Sequence, residues 1–174
     1  MEVWKELEEF EEEEESPKDI IEELYSGIKS YTKDLVDYRI QEVDFFPEEV
    51  TYTKPSSMSF IDPAIFGEIT PKEDPHPDFG YNPKSAKNNE YLRYRLLIYP
   101  TNNMNFEFEL LKFKFTVLLY PVKFYFDKTD IPDLQKFYKN DELYADNKEE
   151  LIEILKTIIK SEQHQSLLRR IAAI

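Results

Sequence analysis

Apolar and polar residues alternate from Tyr91 to Tyr99. Leu92, Tyr94, Leu96 and Ile98 fall on one face, and Tyr91, Arg93, Arg95, Leu97 and Tyr99 on the other. A period of two is the mark of a β-strand, and Pro100, lacking an amide donor, closes it. The polar stretch Thr101 to Asn105 suits a turn. Phe106, Phe108 and Leu110 resume the alternation. At Leu110-Leu111 the phase changes, and Leu111, Phe113, Phe115, Val117 and Leu119 become the apolar set. A one-residue slip of this kind predicts a β-bulge, or else a strand buried on both faces. After Pro121, Val122, Phe124 and Phe126 begin another strand. Tyr91 to Phe126 is therefore read as the central sheet.

Around it the periodicity changes. Ser16-Pro17-Lys18-Asp19 is a helix start, with Ser16 as N-cap, Pro17 in the first helical position and Asp19 in the first turn. Ile20, Ile21, Leu24, Ile28, Tyr31 and Leu35 define one face, predicting a helix over 17–35. Tyr38 to Phe46 and Val50 to Thr53 read as strands, each stopped at or near a proline. Met58 to Ile61 and Phe66 to Ile69 read as edge strands or packed loop. Ile131 to Tyr138 opens as a short helix. Asp146-Asn147-Lys148-Glu149 has capping-box spacing, and apolar residues from Leu151 to Ile174 predict one long helix over 148–174, or two broken near 161–166. The class is α+β: a mainly antiparallel sheet with strands near 38–46, 50–53, 91–99, 106–119 and 122–126, packed by an N-terminal helix and a C-terminal helical region. Residues 16–174 are expected to form one domain behind an acidic segment, 1–15.

If Tyr99 pairs with Phe106, then Arg95 faces Leu110, Arg93 faces Lys112 and Tyr91 faces Lys114. Arg93, Arg95, Lys112 and Lys114 then share one face of the sheet. Like charges placed side by side repel, so such a cluster wants an anionic neighbour. Either the face is solvated, with the aliphatic stems lying along it, or it docks an acidic protein or nucleic acid.

The net charge of −14 is unevenly placed. Residues 1–24 contain 12 acids and two bases, Lys5 and Lys18, for a net −10, which leaves −4 for the other 150 residues. The segment MEVWKELEEFEEEEE spaces Trp4, Leu7 and Phe10 like a helix face and follows them with Glu11, Glu12 and Glu13. It reads either as a solvated helix or as an interaction segment with three anchors in an acidic field. Thr70 to Asn89 is a loop of 20 residues with four prolines, a length usually found in functional or disordered segments. It is a candidate contact surface.

The chemistry the chain does not encode narrows the choice. It has no cysteine, which excludes disulfides, thiolate metal sites and cysteine catalysis. Three scattered glycines build neither a Walker loop nor a dinucleotide fingerprint, so no cofactor is implied. His76 and His164 are far apart in sequence, and His76 with Asp74 and Asp78 is a poor metal site. Glu42 with Asp44, and Glu107 with Glu109, are acid pairs of the i, i+2 kind that a metal-dependent hydrolase could use. Asp146-Asn147-Lys148 places an acid two residues before a lysine, but at a helix start rather than on the strand that metal nucleases use.

The expected function is thus a non-enzymatic protein-binding module of the immunity, antitoxin or inhibitor kind. Its partner would be a protein with a basic surface, met through Trp4, Leu7, Phe10, Glu11, Glu12 and Glu13 or through the Arg93, Arg95, Lys112 and Lys114 face. A paired-carboxylate hydrolase is the alternative. Nucleic acid is disfavoured by the net charge, and the C-terminal helix is a candidate dimer contact. No apolar run reaches the roughly 18 residues of a membrane span, and the acidic start is the reverse of a targeting segment, so the expected location is the cytoplasm.

Overall fold

The alternation at Tyr91–Pro100 becomes the second strand of a six-stranded antiparallel sheet in the computed structural model, which describes residues 14–52, 69–71, 91–125 and 131–174. The strands are β1 (Val36–Val43), β4 (Tyr91–Pro100), β5 (Phe108–Thr116), β6 (Val122–Tyr125), β7 (Tyr138–Lys139) and β8 (Glu142–Ala145), in the spatial order β1-β4-β5-β6-β8-β7. Among the described residues, two further strands, β2 (Val50–Tyr52) and β3 (Ile69–Pro71), pair with each other in a separate two-stranded sheet. The expected strand at 50–53 therefore stands outside the main sheet. The β7–β8 hairpin was not expected. Its turn carries Asn140 and Asp141 at positive φ, residue types that tolerate the left-handed region.

The phase change at Leu110-Leu111 is a bulge. Leu96 sits opposite Leu111 but Leu97 opposite Glu109, so Leu110 is the extra residue on β5. The slip has a packing reason. Phe108 opposes Ile98, and Leu111 opposes Leu96, so the apolar sets on both sides of the bulge face the same way. The assumed pairing of Tyr99 with Phe106 is corrected accordingly. Arg95 lies opposite Lys112 and Arg93 opposite Lys114, two residues from the assumed partners, because the loop is longer than supposed and the bulge adds one more position.

One face of the sheet carries Tyr94, Leu96, Ile98, Leu111, Phe113, Phe115, Val122, Phe124, Leu143 and Ala145, all buried in a single core. The helices lie on it. The predicted helix over 17–35 is two pieces, α1 (Pro17–Tyr25) and α2 (Ile28–Tyr31). Ser16 accepts from the Asp19 amide as its N-cap, with Pro17 in the first turn. After α2, Lys33 and Asp34 take positive φ, and the chain leaves the core. Tyr31 and Leu35, counted on the apolar face in the sequence, are exposed.

The C-terminal region is likewise two helices, α3 (Lys148–Lys160) and α4 (Glu162–Ala172), with Ser161 as the N-cap of α4. The cap of α3 is Asn147, which accepts from the Glu150 amide, while Glu150 accepts from the Asp146 amide. The box is thus shifted by one residue. Leu151, Ile154, Leu155 and Ile158 of α3, and Leu168 and Ile171 of α4, enter the core beside Ile20 and Ile21. The apolar stripe of α4 is therefore used within its own domain. Among the described residues no helix is long and apolar enough to cross a membrane.

Candidate functional site

The opposite face of the sheet is built from the intervening residues. Arg93 of β4, Lys114 of β5 and Lys123 of β6 are lateral neighbours across three strands. Solvent does not cover this row. Lys114 is 0% exposed, Arg93 4% and Lys123 7%. A solvated face with extended stems is therefore not what forms here.

Lys123 donates to Glu142 of β8 at 2.7 Å; the counter-charge for Arg93 and Lys114 comes from the segment that follows β1. Its backbone turns at Phe46, runs through a 3-10 turn at Pro47–Glu49 and lies on the charged face. Glu49, 8% exposed, is the centre. Its Oε2 accepts from Arg93 Nε at 2.6 Å and from the Phe46 amide at 3.1 Å. Its Oε1 accepts from Lys114 Nζ at 2.6 Å and from the Tyr125 hydroxyl at 3.0 Å. Beside it Glu48 pairs with Lys112. Arg93 Nη1 also donates to the Tyr91 carbonyl at 3.0 Å. The Lys114 ammonium lies 4.3 Å from the Tyr91 ring centroid, within range of a cation–π attraction. The Phe46 and Tyr125 rings meet edge to face at 4.9 Å.

These contacts decide the chemistry of Glu49. Burial alone would raise its carboxyl pKa, but the Lys114 charge and the Arg93 and Lys114 hydrogen bonds overcome that and hold it at about 2. A carboxylate ionised at every working pH, with four donors already on its two oxygens, is a poor proton-transfer group near neutrality. Its role is to fix the 46–49 segment against the sheet.

The four expected cations do come together, with different surroundings. Arg93 and Lys114 are buried on Glu49. Lys112 is partly buried on Glu48, with Glu109 at 3.5 Å. Arg95 donates to Gln41 at 2.8 Å and lies 3.5 Å from Glu109. Trp4, Leu7, Phe10, Glu11, Glu12 and Glu13 lie outside the described residues, as do His76 and most of the 70–89 loop. The two acid pairs do not converge. Glu42 and Asp44 are exposed at and just beyond the end of the edge strand β1. Glu107 pairs with Arg39, and Glu109 with Arg95 and Lys112. Among the described residues no three His, Asp or Glu side chains gather where they could hold a metal ion. Glu49, Lys123 and Tyr125 were not singled out in the sequence. The available signal was Glu48-Glu49 following Pro47 in a chain whose central strands carry four unmatched cations.

A second polar group sits among the helices. His164 of α4 is 4% exposed, and burial lowers its pKa to about 4. Its Nε2 lies 3.5 Å from the Tyr25 hydroxyl, and the Ile159 backbone beside the ring partly offsets the effect of burial. Burial raises the pKa of Tyr25.

The acids at the start of the described chain form a third feature. α1 buries Pro17, Ile20, Ile21 and Tyr25, which leaves Asp19, Glu22 and Glu23 exposed on its other side, in line with exposed Glu14 and Glu15. Glu15 reaches Lys148 at the start of α3, at 2.7 Å. Nearby, Tyr120 has its pKa raised to about 12 by burial, with Glu149, Glu14 and Glu15 adding to it. Comparison with family models, with curated protein sequences and with solved structures finds no match to this chain, so any functional reading rests on these residues.

Proposed function

We propose that this protein is a non-enzymatic binding module, in the manner of an immunity protein, antitoxin or inhibitor, that presents an acidic surface to a basic protein partner. The observation that carries this reading is the outward acidic side of α1. Negative charge in the first turn of a helix is stabilising, so Asp19, Glu149 and Glu150 have a local explanation. Glu22 and Glu23 have none. They occupy the last turn of α1, where the helix dipole disfavours anions and which contains no basic residue of its own; the cations that meet them are exposed, Lys18 at 3.6 Å from Glu22 and Lys148, whose pKa Glu23 helps to raise, and exposed pairs of this kind are weak. Exposed charge held against a local cost is what a steering surface requires.

The sheet cations support the same reading from the other side. Arg93 and Lys114 are committed to Glu49, and Lys112 to Glu48, so these three sheet cations are engaged within the fold while acids occupy its surface at α1.

The test compares the full chain with a variant carrying Glu14→Gln, Glu15→Gln, Glu22→Gln and Glu23→Gln. Each is used to capture partners from extract of the cells that make it, and association rates are then measured at low and high salt. The native chain should retain a basic protein. The variant should associate with it roughly tenfold more slowly at low salt, with the difference fading at high salt. Recovery of the same partner by both chains, with the same salt dependence, would remove the acidic surface from the explanation.

A further inference from the structure

β1 is an edge of the six-stranded sheet and is eight residues long. The outer side of such a strand is a row of N–H and C=O groups able to pair with another chain. The phase of that row is fixed. The Thr101 amide donates to the Leu35 carbonyl at 3.0 Å, one step beyond the Val36–Pro100 pair. Every second residue of an antiparallel strand bonds the same neighbour. Asp37, Arg39, Gln41 and Val43 therefore bond β4, and Val36, Tyr38, Ile40 and Glu42 turn their backbone groups outward.

The first half of this edge is closed by nearby side chains. Thr32 Oγ1 accepts from the Val36 amide at 3.1 Å and lies 3.2 Å from the Val36 carbonyl. The Tyr38 amide donates to Asp37 Oδ1 at 2.9 Å. Among the described residues nothing pairs with the outward groups of Ile40 and Glu42.

The rim of the open half is acidic. Glu42 and Asp44 are exposed there. Glu42 stands opposite Tyr94, and Tyr38 opposite Ile98, on the helix face of the sheet. α1 lies over that side, since the Tyr38 hydroxyl donates to the Glu22 carbonyl at 3.1 Å. Burial raises the pKa of Tyr94, and the charges of Glu42 and Asp19 raise it further. Burial, then Glu22 and Asp37, do the same for Tyr38. Exposed Asp19 and Glu22 of α1 thus border the same side of the edge as Glu42, with Lys18 3.6 Å from Glu22 as a weak exposed offset. A strand added here would send alternate side chains toward these acids.

We propose that the open half of β1 binds an extended segment of the basic partner as an added antiparallel strand, with Lys or Arg at the alternate positions opposite Ile40 and Glu42. For the sign of the partner's charge this rests on the function proposed above; the open edge is a separate observation. Main-chain pairing supplies the affinity and the alternate side chains the specificity. A second copy of this chain fits less well. Pairing two β1 edges about Gln41 would oppose Ile40 to Glu42 and bring two acidic rims together, which like charges disfavour.

The full chain is titrated at low salt with a blocked eight-residue peptide that alternates Lys and Thr, and is followed by amide chemical shifts and hydrogen exchange. Saturable shifts should appear at Ile40 and Glu42, and exchange of those two amides should slow. Methylating the backbone nitrogens of the peptide's lysines should weaken binding at least roughly tenfold, because those N–H groups bond β1. Methylating the backbone nitrogens of its threonines, which face away, should change affinity less than roughly twofold. The same peptide with Glu for Lys should not bind. Absence of saturable shifts would overturn the proposal, as would equal binding of the two methylated peptides. If those two bind equally but both more weakly to the Glu14→Gln, Glu15→Gln, Glu22→Gln, Glu23→Gln variant, the acidic surface stands without the added strand. Equal binding of the Glu peptide would overturn both readings. Protection of Ile40 and Glu42 that rises with protein concentration in the absence of peptide would give the edge to a second copy and overturn the proposal.

Discussion

The two faces of the six-stranded sheet use alternate residues of the same strands and hold their neighbours by different physics. On the helix face, Phe113 stacks near Tyr94, Phe115 and Phe124, with ring centroids 5.5 to 6.4 Å apart. On the other face, one residue away along β5, Lys114 is just as buried and ends on a carboxylate. The first face is held by non-directional burial that scales with area. The second is held by particular partners at particular distances, where an unpaired charge is costly. The helix face should therefore tolerate changes of shape that conserve volume, and the charged face should tolerate removal of a whole pair better than removal of half of it.

The largest effect expected is on the helix face. Phe113→Ala removes a ring with 0% exposure and should cost about 3–5 kcal/mol in unfolding free energy, with Phe113→Leu costing much less. Denaturant unfolding measures both, and a Leu variant as damaged as the Ala variant would mean that ring geometry, not area, governs this face.

The charged face is next. Glu49→Leu leaves Arg93 and Lys114 buried without their shared carboxylate and should cost roughly 3 kcal/mol or more. Adding Lys114→Met should recover part of that loss, giving a coupling energy of roughly 1–3 kcal/mol. Strict additivity of the two substitutions would show that the pair does not act as a unit.

The smallest effect is in pH. Because the Glu49 pKa is depressed in the fold from the ordinary 4.5 to about 2, its contribution is complete above about pH 4.5 and is lost as pH falls toward 2. Thermal unfolding followed from pH 6 downward should show a fall in Tm across that window, smaller in Glu49→Gln. A variant with the same acid slope as the native chain would assign the slope to other carboxylates.

Some of this was legible residue by residue. Alternation in β4 and the Ser16 cap follow from local rules, period and side chains that bond their own backbone, while the bulge at Leu110 and the split of the C-terminal helix near Ser161 were each one of two readings that the local pattern left open. The clustering of Arg93, Arg95, Lys112 and Lys114 was legible as well, because side chains two apart on neighbouring strands must share a face. The identity of their counter-ion was not. Glu49 is 44 residues from Arg93 and 65 from Lys114 in the chain, and local patterning carries no information about which distant acid will be folded back over them. The same is true of Tyr25 and His164, separated by 139 residues. Sequence determined which faces would be apolar and which charged, because that is set by neighbours a few residues away. Only the tertiary structure decided what each charge would meet, since burial and long-range partners, not residue type, set whether a lysine is solvated or locked on a carboxylate.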